Sequence, residues 1–272
     1  MSPIRSSQTS TLAYREAVPE GEQRDHPVLC LHGFPETSLM WAGVLESAAD
    51  AGYRALAPDL PGSGGSPAAT PNTWESLVEA IDAFADEVGL PPAVLVVHDW
   101  GGLIGLRWAC EHPERIAALV ISDSGFFADG RWHGMAAGLR TEGVGEEMLA
   151  GLDRDGFGAM MQAVSPRMSE ASIDEYWRSL GTDAGQRAAL EMYRSGDFEK
   201  LVRHEGALGA LGVPTLILWG ENDEFAPVAG AYRFEREIPG AELQVIESAG
   251  HFLFSDAPAE AVAAVAAFLR DL

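Results

Sequence analysis

Three side chains that could carry out nucleophilic chemistry follow short apolar runs of the sequence. They are Asp99, Asp223 and His251, and each run is typical of a buried strand. A carboxylate can attack an electrophilic carbon, and an imidazole that a second carboxylate orients can act as a general base. Because the carboxyl ends of parallel strands share one crevice, we expect the three side chains to converge there. The pattern therefore predicts Asp99 as nucleophile, Asp223 as orienting acid and His251 as base.

Asp99 lies at the tip of a sharp predicted turn. The apolar residues 94–97 predict a buried strand, and Gly101 and Gly102 allow the backbone to turn directly into a helix over 103–110. A strand, a tight turn and a helix in this order form an elbow that holds a nucleophile out of the sheet. The tip is a carboxylate, and the chain contains no Gly-x-Ser-x-Gly motif. We therefore expect a carboxylate nucleophile; the alternative is an ordinary turn carboxylate.

Asp123 competes with Asp223 for the role of orienting acid. It follows the apolar run 118–122 and could reach the histidine from another side. Asp223 is favoured because Gly220 and Pro227 flank it in a turn that is typical of the acid. The prediction is Asp223, with Asp123 as the alternative.

A second turn, His-Gly-Phe-Pro at residues 32–35, follows the apolar run 28–31. Such a turn leaves a backbone N–H free to point into the adjoining cleft, and Phe34 is the residue that would offer it. The alternative is an ordinary turn. We interpret His32 and His98 as hydrogen-bonded structural histidines and not as metal ligands, because no third ligand accompanies them at metal spacing.

The remaining pattern positions these residues in an α/β fold. Apolar strand runs alternate with helical stripes up to residue 122, and the alternation resumes at residue 213. Such alternation is typical of a mostly parallel central sheet flanked by helices. The predicted strands are 11–18, 28–32, 53–57, 94–98, 118–122, 213–219 and 243–247, and the predicted helices include 39–51, 72–88, 103–110 and 258–269.

The pattern changes between residues 123 and 211. Strand runs disappear there, and short helical stripes such as 173–180 and 186–193 take their place. This change indicates a helical cap inserted into the sheet-containing core. We predict an α/β core domain of residues 1–125 and 212–272 and a cap of residues 126–211.

Composition and charge argue against several classes of partner. The chain has 41 Asp and Glu against 18 Lys and Arg, a formal net charge of −23, so nucleic acid or an anionic membrane would meet like charge. Residues 1–10 are polar, and no stretch approaches the roughly 18 consecutive apolar residues of a membrane span. We expect a cytoplasmic protein, a monomer or homodimer. Cys30 and Cys110 lack paired spacing and are interpreted as free thiols.

With these motifs, His-Gly-Phe-Pro-Glu at 32–36 and His-Asp-Trp-Gly-Gly at 98–102, the chain resembles the α/β-hydrolase superfamily over essentially its whole length. It is most similar to the aspartate-nucleophile branch of epoxide hydrolases and haloalkane or fluoroacetate dehalogenases. The resemblance implies that Asp99 attacks an sp³ carbon and forms an alkyl ester, and that His251 activates the water that hydrolyses it. The N–H groups of Phe34 and Trp100 would form the oxyanion hole. No metal and no organic cofactor would be needed, and the substrate would be a small apolar organic molecule.

The resemblance to epoxide hydrolases directs attention to proton donors in the cap. Those enzymes commonly use two cap tyrosines, because an epoxide oxygen leaves as an alkoxide. The segment around Tyr193 resembles one tyrosine segment, whereas the other has no match and Arg-Trp-His-Gly stands at 131–134. His133 paired with Tyr193 is therefore the predicted donor set, with Tyr176 as a weaker candidate.

The resemblance to haloalkane dehalogenases rests on tryptophans. Trp100, directly after the nucleophile, matches a halide-holding tryptophan, and Trp132 or Trp177 could supply a second indole. Val97 also favours this class, whereas Phe34 stands where those enzymes tend to have Asn or Glu.

Fluoroacetate dehalogenases are disfavoured. They place arginines one and four residues after the nucleophile, and here these positions are Trp100 and Leu103. We expect an epoxide hydrolase, with a haloalkane dehalogenase as the alternative. A non-catalytic ligand-binding homologue is the remote alternative, and the intact acid, base and nucleophile set argues against it.

Overall fold

The computed structural model describes residues 3–272, so the first two residues of the predicted polar N-terminal segment lie outside it. It contains an eight-stranded sheet with the spatial order β1-β2-β4-β3-β5-β6-β7-β8. The strands are β1 Arg5–Gln8, β2 Ala13–Ala17, β3 Val28–Leu31, β4 Ala55–Pro58, β5 Ala93–His98, β6 Ile116–Ser122, β7 Thr215–Gly220 and β8 Glu242–Ile246.

The helices alternate with these strands as the sequence predicts. They are α1 Ala42–Asp50, α2 Trp74–Glu87, α3 Trp100–Glu111, α4 Gly134–Arg140, α5 Val144–Ala150, α6 Arg154–Val164, α7 Glu170–Leu180, α8 Asp183–Ser195, α9 Ala207–Ala210, α10 Ala229–Glu237, α11 Leu253–Asp256 and α12 Pro258–Asp271. Short 3-10 helices cover Ser38–Trp41, Pro113–Arg115 and Phe198–His204. No helix within residues 3–272 has the length and apolar character needed to cross a bilayer.

Strand direction divides the sheet into two parts. From β4 through β3, β5, β6 and β7 to β8, neighbouring strands run parallel, whereas β1 and β2 are antiparallel to their neighbours. The predicted mostly parallel sheet is therefore confirmed. β1 was not anticipated, because all four of its residues are polar and exposed and give no apolar pattern. Its backbone pairing with β2, and not burial of side chains, makes it a strand.

The sheet is buried on both faces, which explains why its central strands are continuous apolar runs. Along β5, Leu95 and Val97 contribute to one apolar core, together with residues of α2 and α3. Val94 and Val96 point to the other face, where they join a core that includes residues of α1 and α12. The six residues of β5 are all buried.

Helices α4 to α9 lie between β6 and β7, the region where the sequence predicts a cap. Several hydrogen bonds join them to the rest of the chain. Glu191 accepts from the backbone N–H of Asn72 at 2.7 Å, and Ser165 donates to Asp256 at 2.5 Å. These contacts hold the helices of this segment against the edge of the sheet where the strands end.

Candidate active site

The backbone at Asp99 is bent into an unusual conformation. Asp99 separates the end of β5 from the start of α3 and has φ 46° and ψ −121°. A positive φ costs a non-glycine residue on the order of 1–3 kcal/mol and persists only where the surroundings enforce it. Here the Asp99 carbonyl accepts hydrogen bonds from Gly102 N–H at 2.8 Å and from the Ser124 hydroxyl at 2.7 Å. The predicted elbow is therefore present, with α3 starting three residues earlier than expected.

Two glycines next to Asp99 are required by close packing. A Cβ at Gly101 would lie 2.2 Å from the carbonyl oxygen of Leu31 in β3. A Cβ at Gly33 would lie 2.5 Å from the Cβ of Asp99 and 2.7 Å from its Oδ2. Any side chain at either position would displace backbone or the carboxylate itself. The elbow and the turn after β3 consequently approach each other closely enough to share a site.

The two oxygens of Asp99 have different environments. Oδ2 accepts a hydrogen bond from the backbone N–H of Phe34 at 2.9 Å, which is the contact expected of an oxyanion-hole amide. The N–H of Trp100 is the first of α3, so it has no partner within the helix and lies at the positive end of the helix dipole. Oδ1 lies 3.8 Å from Nε2 of His251, longer than a hydrogen bond.

His251 is oriented by Asp223. Its Nδ1 lies 2.8 Å from Oδ2 of Asp223. The other oxygen of Asp223 accepts from the backbone N–H groups of Phe225 and Ala226, both at 2.8 Å. A carboxylate fixed in this way holds the imidazole with Nε2 facing Asp99. The structure thus brings together the three side chains that the sequence singled out.

Asp123, the alternative acid, has other partners. Its Oδ1 accepts from the backbone N–H of Gly220 at 2.8 Å, and its Oδ2 from the hydroxyl of Ser122 at 2.5 Å. Burial, with the charge of Asp223, raises the pKa of Asp123 well above its usual range. Within residues 3–272 it has no hydrogen bond to His251, so its hydrogen bonds tie it to backbone and Ser122 and not to the histidine.

The charges around His251 determine its protonation. Burial alone would lower the pKa of His251, but the charge and hydrogen bond of Asp223, together with the charge of Asp99, raise it to about 10. The resting imidazole is thus a cation held between two carboxylates. Loss of the negative charge on Asp99 would remove part of this stabilisation and lower the pKa again.

Aromatic side chains from the segment between β6 and β7 lie beside Asp99. The ring of Tyr193 lies edge-on to Phe34 and to Trp100, with 5.2 Å between centroids in both pairs. Trp132 stacks on Trp100 at 5.5 Å, with an interplanar angle of 21°. Burial, with the charge of Asp99, raises the pKa of the Tyr193 hydroxyl well above its usual value. Tyr193 therefore keeps its proton at neutral pH and can donate it.

His133 lines the same cavities as Asp99 and Phe225. Its Nδ1 accepts from the backbone N–H of Ala136 at the start of α4, at 3.4 Å, and burial lowers its pKa. A neutral imidazole with Nδ1 as acceptor carries its proton on Nε2. Its ring is 4.9 Å from that of Phe225. The weaker candidates lie elsewhere, because Trp177 packs on Phe157 and Tyr176 is buried, and neither lines the cavities at Asp99.

Two cavities meet at Asp99. The first has a volume of about 110 Å³ and is lined mainly by Met, Leu and Phe side chains, with Tyr193 and His251 at its inner end. The second has a volume of about 350 Å³ and includes Trp100 and Trp132. Asp99 and His133 line both. The carboxylate is therefore accessible to a small apolar molecule from two partly open pockets.

A buried pair next to the triad was not anticipated. Oε2 of Glu36 lies 3.2 Å from Nε2 of His98, and both side chains are almost fully buried. Burial raises the pKa of Glu36 to about 8 and lowers the pKa of His98 well below its usual value, so both are neutral at pH 7. Neither ring nitrogen of His98 has an aligned hydrogen-bond partner. The interpretation of His98 as hydrogen-bonded is wrong, whereas His32 does accept from Leu60 N–H at 2.9 Å.

Comparison with known proteins identifies the family of the chain. Residues 26–258 match the profile of the family described as alpha/beta hydrolase fold. The chain belongs to this family. Within it, this α/β-hydrolase belongs to the branch of dehalogenases and epoxide hydrolases. It is 32% identical to the haloalkane dehalogenase of Mycobacterium marinum over 265 residues, covering 89% of this chain and 84% of that protein.

Two further similarities extend over nearly the whole α/β-hydrolase. Epoxide hydrolase A of Mycobacterium tuberculosis is 27% identical over 304 residues, which covers 94% of each chain. The crystal structure of the haloalkane dehalogenase DbeA from Bradyrhizobium elkani has the same fold, with a TM-score of 0.81 and 24% identity over 99% of this chain and 98% of that one. The protein is thus a hydrolase of this branch. Within its described residues, no group of three His, Cys, Asp or Glu side chains could hold a metal ion.

Proposed function

We propose that this α/β-hydrolase converts epoxides to vicinal diols through a covalent ester on Asp99. The observation that carries the proposal is the arrangement at that carboxylate. One oxygen accepts from the Phe34 amide, and the other faces a histidine that a second carboxylate orients. A partly buried carboxylate that is aimed in this way is suited to displacement at an sp³ carbon.

In the first half-reaction Oδ1 of Asp99, the oxygen not bound by the Phe34 amide, attacks an epoxide carbon. A carbon–oxygen bond forms to Asp99 while the ring carbon–oxygen bond breaks. The leaving alkoxide takes the proton of Tyr193, which its raised pKa keeps on the hydroxyl until the alkoxide develops. The neutral His133, with its proton on Nε2, is the second donor.

In the second half-reaction water attacks the ester carbonyl carbon of Asp99. Esterification removes a negative charge that had raised the pKa of His251, so the imidazole releases its proton and the Tyr193 phenolate takes one up. The neutral His251 then takes a proton from the attacking water. The oxyanion develops on Oδ2, where the N–H groups of Phe34 and Trp100 stabilise it. The bond from the alkyl oxygen to the Asp99 carbonyl carbon then breaks. The alkoxide takes the proton of the new Asp99 carboxyl group and leaves as the diol, which restores the Asp99 carboxylate beside the protonated His251.

Hydrolysis of carbon–halogen bonds is the second candidate. A halide needs N–H donors and an apolar pocket but no proton. Trp100 and Trp132, stacked beside Asp99, provide two indoles for this purpose. The 32% identity to a relative named haloalkane dehalogenase also favours it.

Intact mass spectrometry of a His251→Gln variant distinguishes these candidates. The variant should stall at the alkyl ester, because water activation is lost while Asp99 is retained. After exposure to a panel of epoxides, we expect an added mass equal to the whole epoxide; after exposure to haloalkanes, an adduct lacking the halogen would support the second candidate. Adducts should disappear in the Asp99→Asn, His251→Gln double variant. A folded His251→Gln protein that forms no adduct at Asp99 with either panel would overturn both candidates and leave the non-catalytic alternative.

A further inference from the structure

Arg140, the last residue of α4, contacts the backbone at the end of α8 and the ring of Trp132. It lines neither of the two cavities at Asp99. Its guanidinium donates to the backbone carbonyls of Tyr193 and Gly196 at the end of α8. The same guanidinium lies 5.0 Å from the ring centroid of Trp132. One side chain therefore joins α4, the end of α8 and the loop before α4.

The end of α8 is the place where such a cation is most effective. The last carbonyls of a helix have no partner within the helix and form the negative end of its dipole. One terminal nitrogen of Arg140 donates to both carbonyls while the planar guanidinium lies over the Trp132 ring. A lysine ammonium could donate to the carbonyls but has no planar group to lie over the ring. Without it, the last turn of α8, which carries Tyr193, would lose its hydrogen bonds to α4, although Lys200 would still donate to the Ser195 carbonyl.

The same turn packs directly on the two indoles. A Cβ at Gly196 would lie 2.8 Å from the Trp100 ring and 2.9 Å from the Trp132 ring. The backbone that Arg140 holds is thus in contact with both tryptophans, while the cation lies over the second one. A shift of this turn would move Tyr193 and Trp132 together.

We propose that Arg140 is a positioning residue for the leaving group: it fixes the Tyr193 hydroxyl and the Trp132 indole relative to Asp99. This inference rests on the proposed covalent mechanism. It assigns Arg140 to the first half-reaction, because Tyr193 and Trp132 act on the leaving atom. The second half-reaction depends on Asp223, His251 and the oxyanion amides, none of which Arg140 contacts.

The test measures the two half-reactions separately. The rate of ester formation is followed by rapid quench and mass spectrometry in His251→Gln protein that also carries Arg140→Met or Arg140→Lys. The rate of ester hydrolysis is followed in single turnovers with the same Arg140 substitutions and His251 intact. A misplacement of about 1 Å lowers a rate on the order of 10²-fold, so we expect ester formation to slow about 100-fold in Arg140→Met and less in Arg140→Lys, with hydrolysis unchanged.

Arg194→Gln is the matched control. Arg194 is also an arginine of the cap, next to Tyr193 in α8, but it pairs with Glu146 at the surface. Exposed pairs of this kind contribute little, so both rates should stay within about twofold. Equal slowing of both half-reactions in the Arg140 variants, or no slowing of ester formation, would overturn this inference alone. Absence of any ester in the parent His251→Gln protein would overturn the proposed function and the inference with it.

Discussion

Replacing Asp99 by asparagine should lower the pKa of His251 by a large and measurable amount. The substitution removes one negative charge but keeps the size of the side chain, so it imitates the uncharged ester of the proposed intermediate. In the unmodified protein the pKa of His251 is raised to about 10, in part by Asp99. The change therefore tests whether ester formation converts His251 from a cation to a base.

The magnitude follows from one distance. Oδ1 of Asp99 and Nε2 of His251 are 3.8 Å apart. At an effective dielectric constant of about 20, two unit charges at this separation attract each other by about 4 kcal/mol. At 1.36 kcal/mol for each tenfold change in the proton equilibrium, roughly, this corresponds to a fall in pKa of about 3. We expect His251 to titrate near pH 7 in Asp99→Asn.

The assay is an NMR titration of the histidine ring nitrogens. The chain contains seven histidines, and the His251→Gln protein identifies the signal that belongs to His251. In the unmodified protein this ring should stay protonated through neutral pH. In Asp99→Asn it should lose its proton at a pH about 3 units lower. An unchanged titration midpoint in the two proteins would refute the assignment of Asp99 as the charge that controls the base.

Four further substitutions test other parts of the site and its surroundings. Tyr193→Phe should slow epoxide opening about 10²- to 10⁴-fold in steady-state assays and leave any halide displacement nearly unchanged; equal loss in both would contradict its role as proton donor. Asp223→Asn should lower ester hydrolysis by on the order of 10⁴-fold, whereas Asp123→Asn should mainly lower the melting temperature, because Asp123 is bound to backbone and Ser122. The raised pKa of Glu36, about 8 against an ordinary 4.5, means that the folded protein holds a proton that the unfolded chain releases between these values. The free energy of unfolding should therefore fall by about 1.4 kcal/mol per pH unit as the pH rises across this window. Glu36→Gln should reduce that slope in denaturant titrations at pH 5 and pH 8; an identical slope would show that Glu36 does not titrate there.

The parts of the fold that bury apolar side chains could be predicted from the sequence. The predicted runs 94–98 and 118–122 fall within β5 and β6, because strands covered on both faces leave a continuous apolar signal. The helical stripes 173–180 and 186–193 lie within α7 and α8. β1 gave no signal, since its four exposed polar residues are held by backbone pairing alone.

Some residues of the candidate site could likewise be predicted from the sequence, and others could not. Asp99 and His251 could be found because each follows a strand at a turn with its own sequence pattern. Arg140 could not, because it contacts backbone carbonyls and the face of a ring, and no residue type marks those partners in the sequence. Glu36 belongs to the His-Gly-Phe-Pro-Glu motif, but its burial beside His98 depends on how the turn after β3 packs against the end of β5.

The distribution of reactive groups along the chain has a consequence for laboratory evolution. Tyr193 and Trp132 belong to the segment between β6 and β7, whereas Asp99 and His251 lie in turns after β5 and β8. In the proposed mechanism, stabilisation of the leaving atom by Tyr193 and Trp132 and activation of water by His251 are thus encoded by separate stretches of the gene. A mutant library confined to the neighbours of Tyr193 and Trp132 should change which leaving group is accepted without loss of the hydrolytic step. Such a library should keep Arg140 constant, so that each new side chain is compared on the same scaffold.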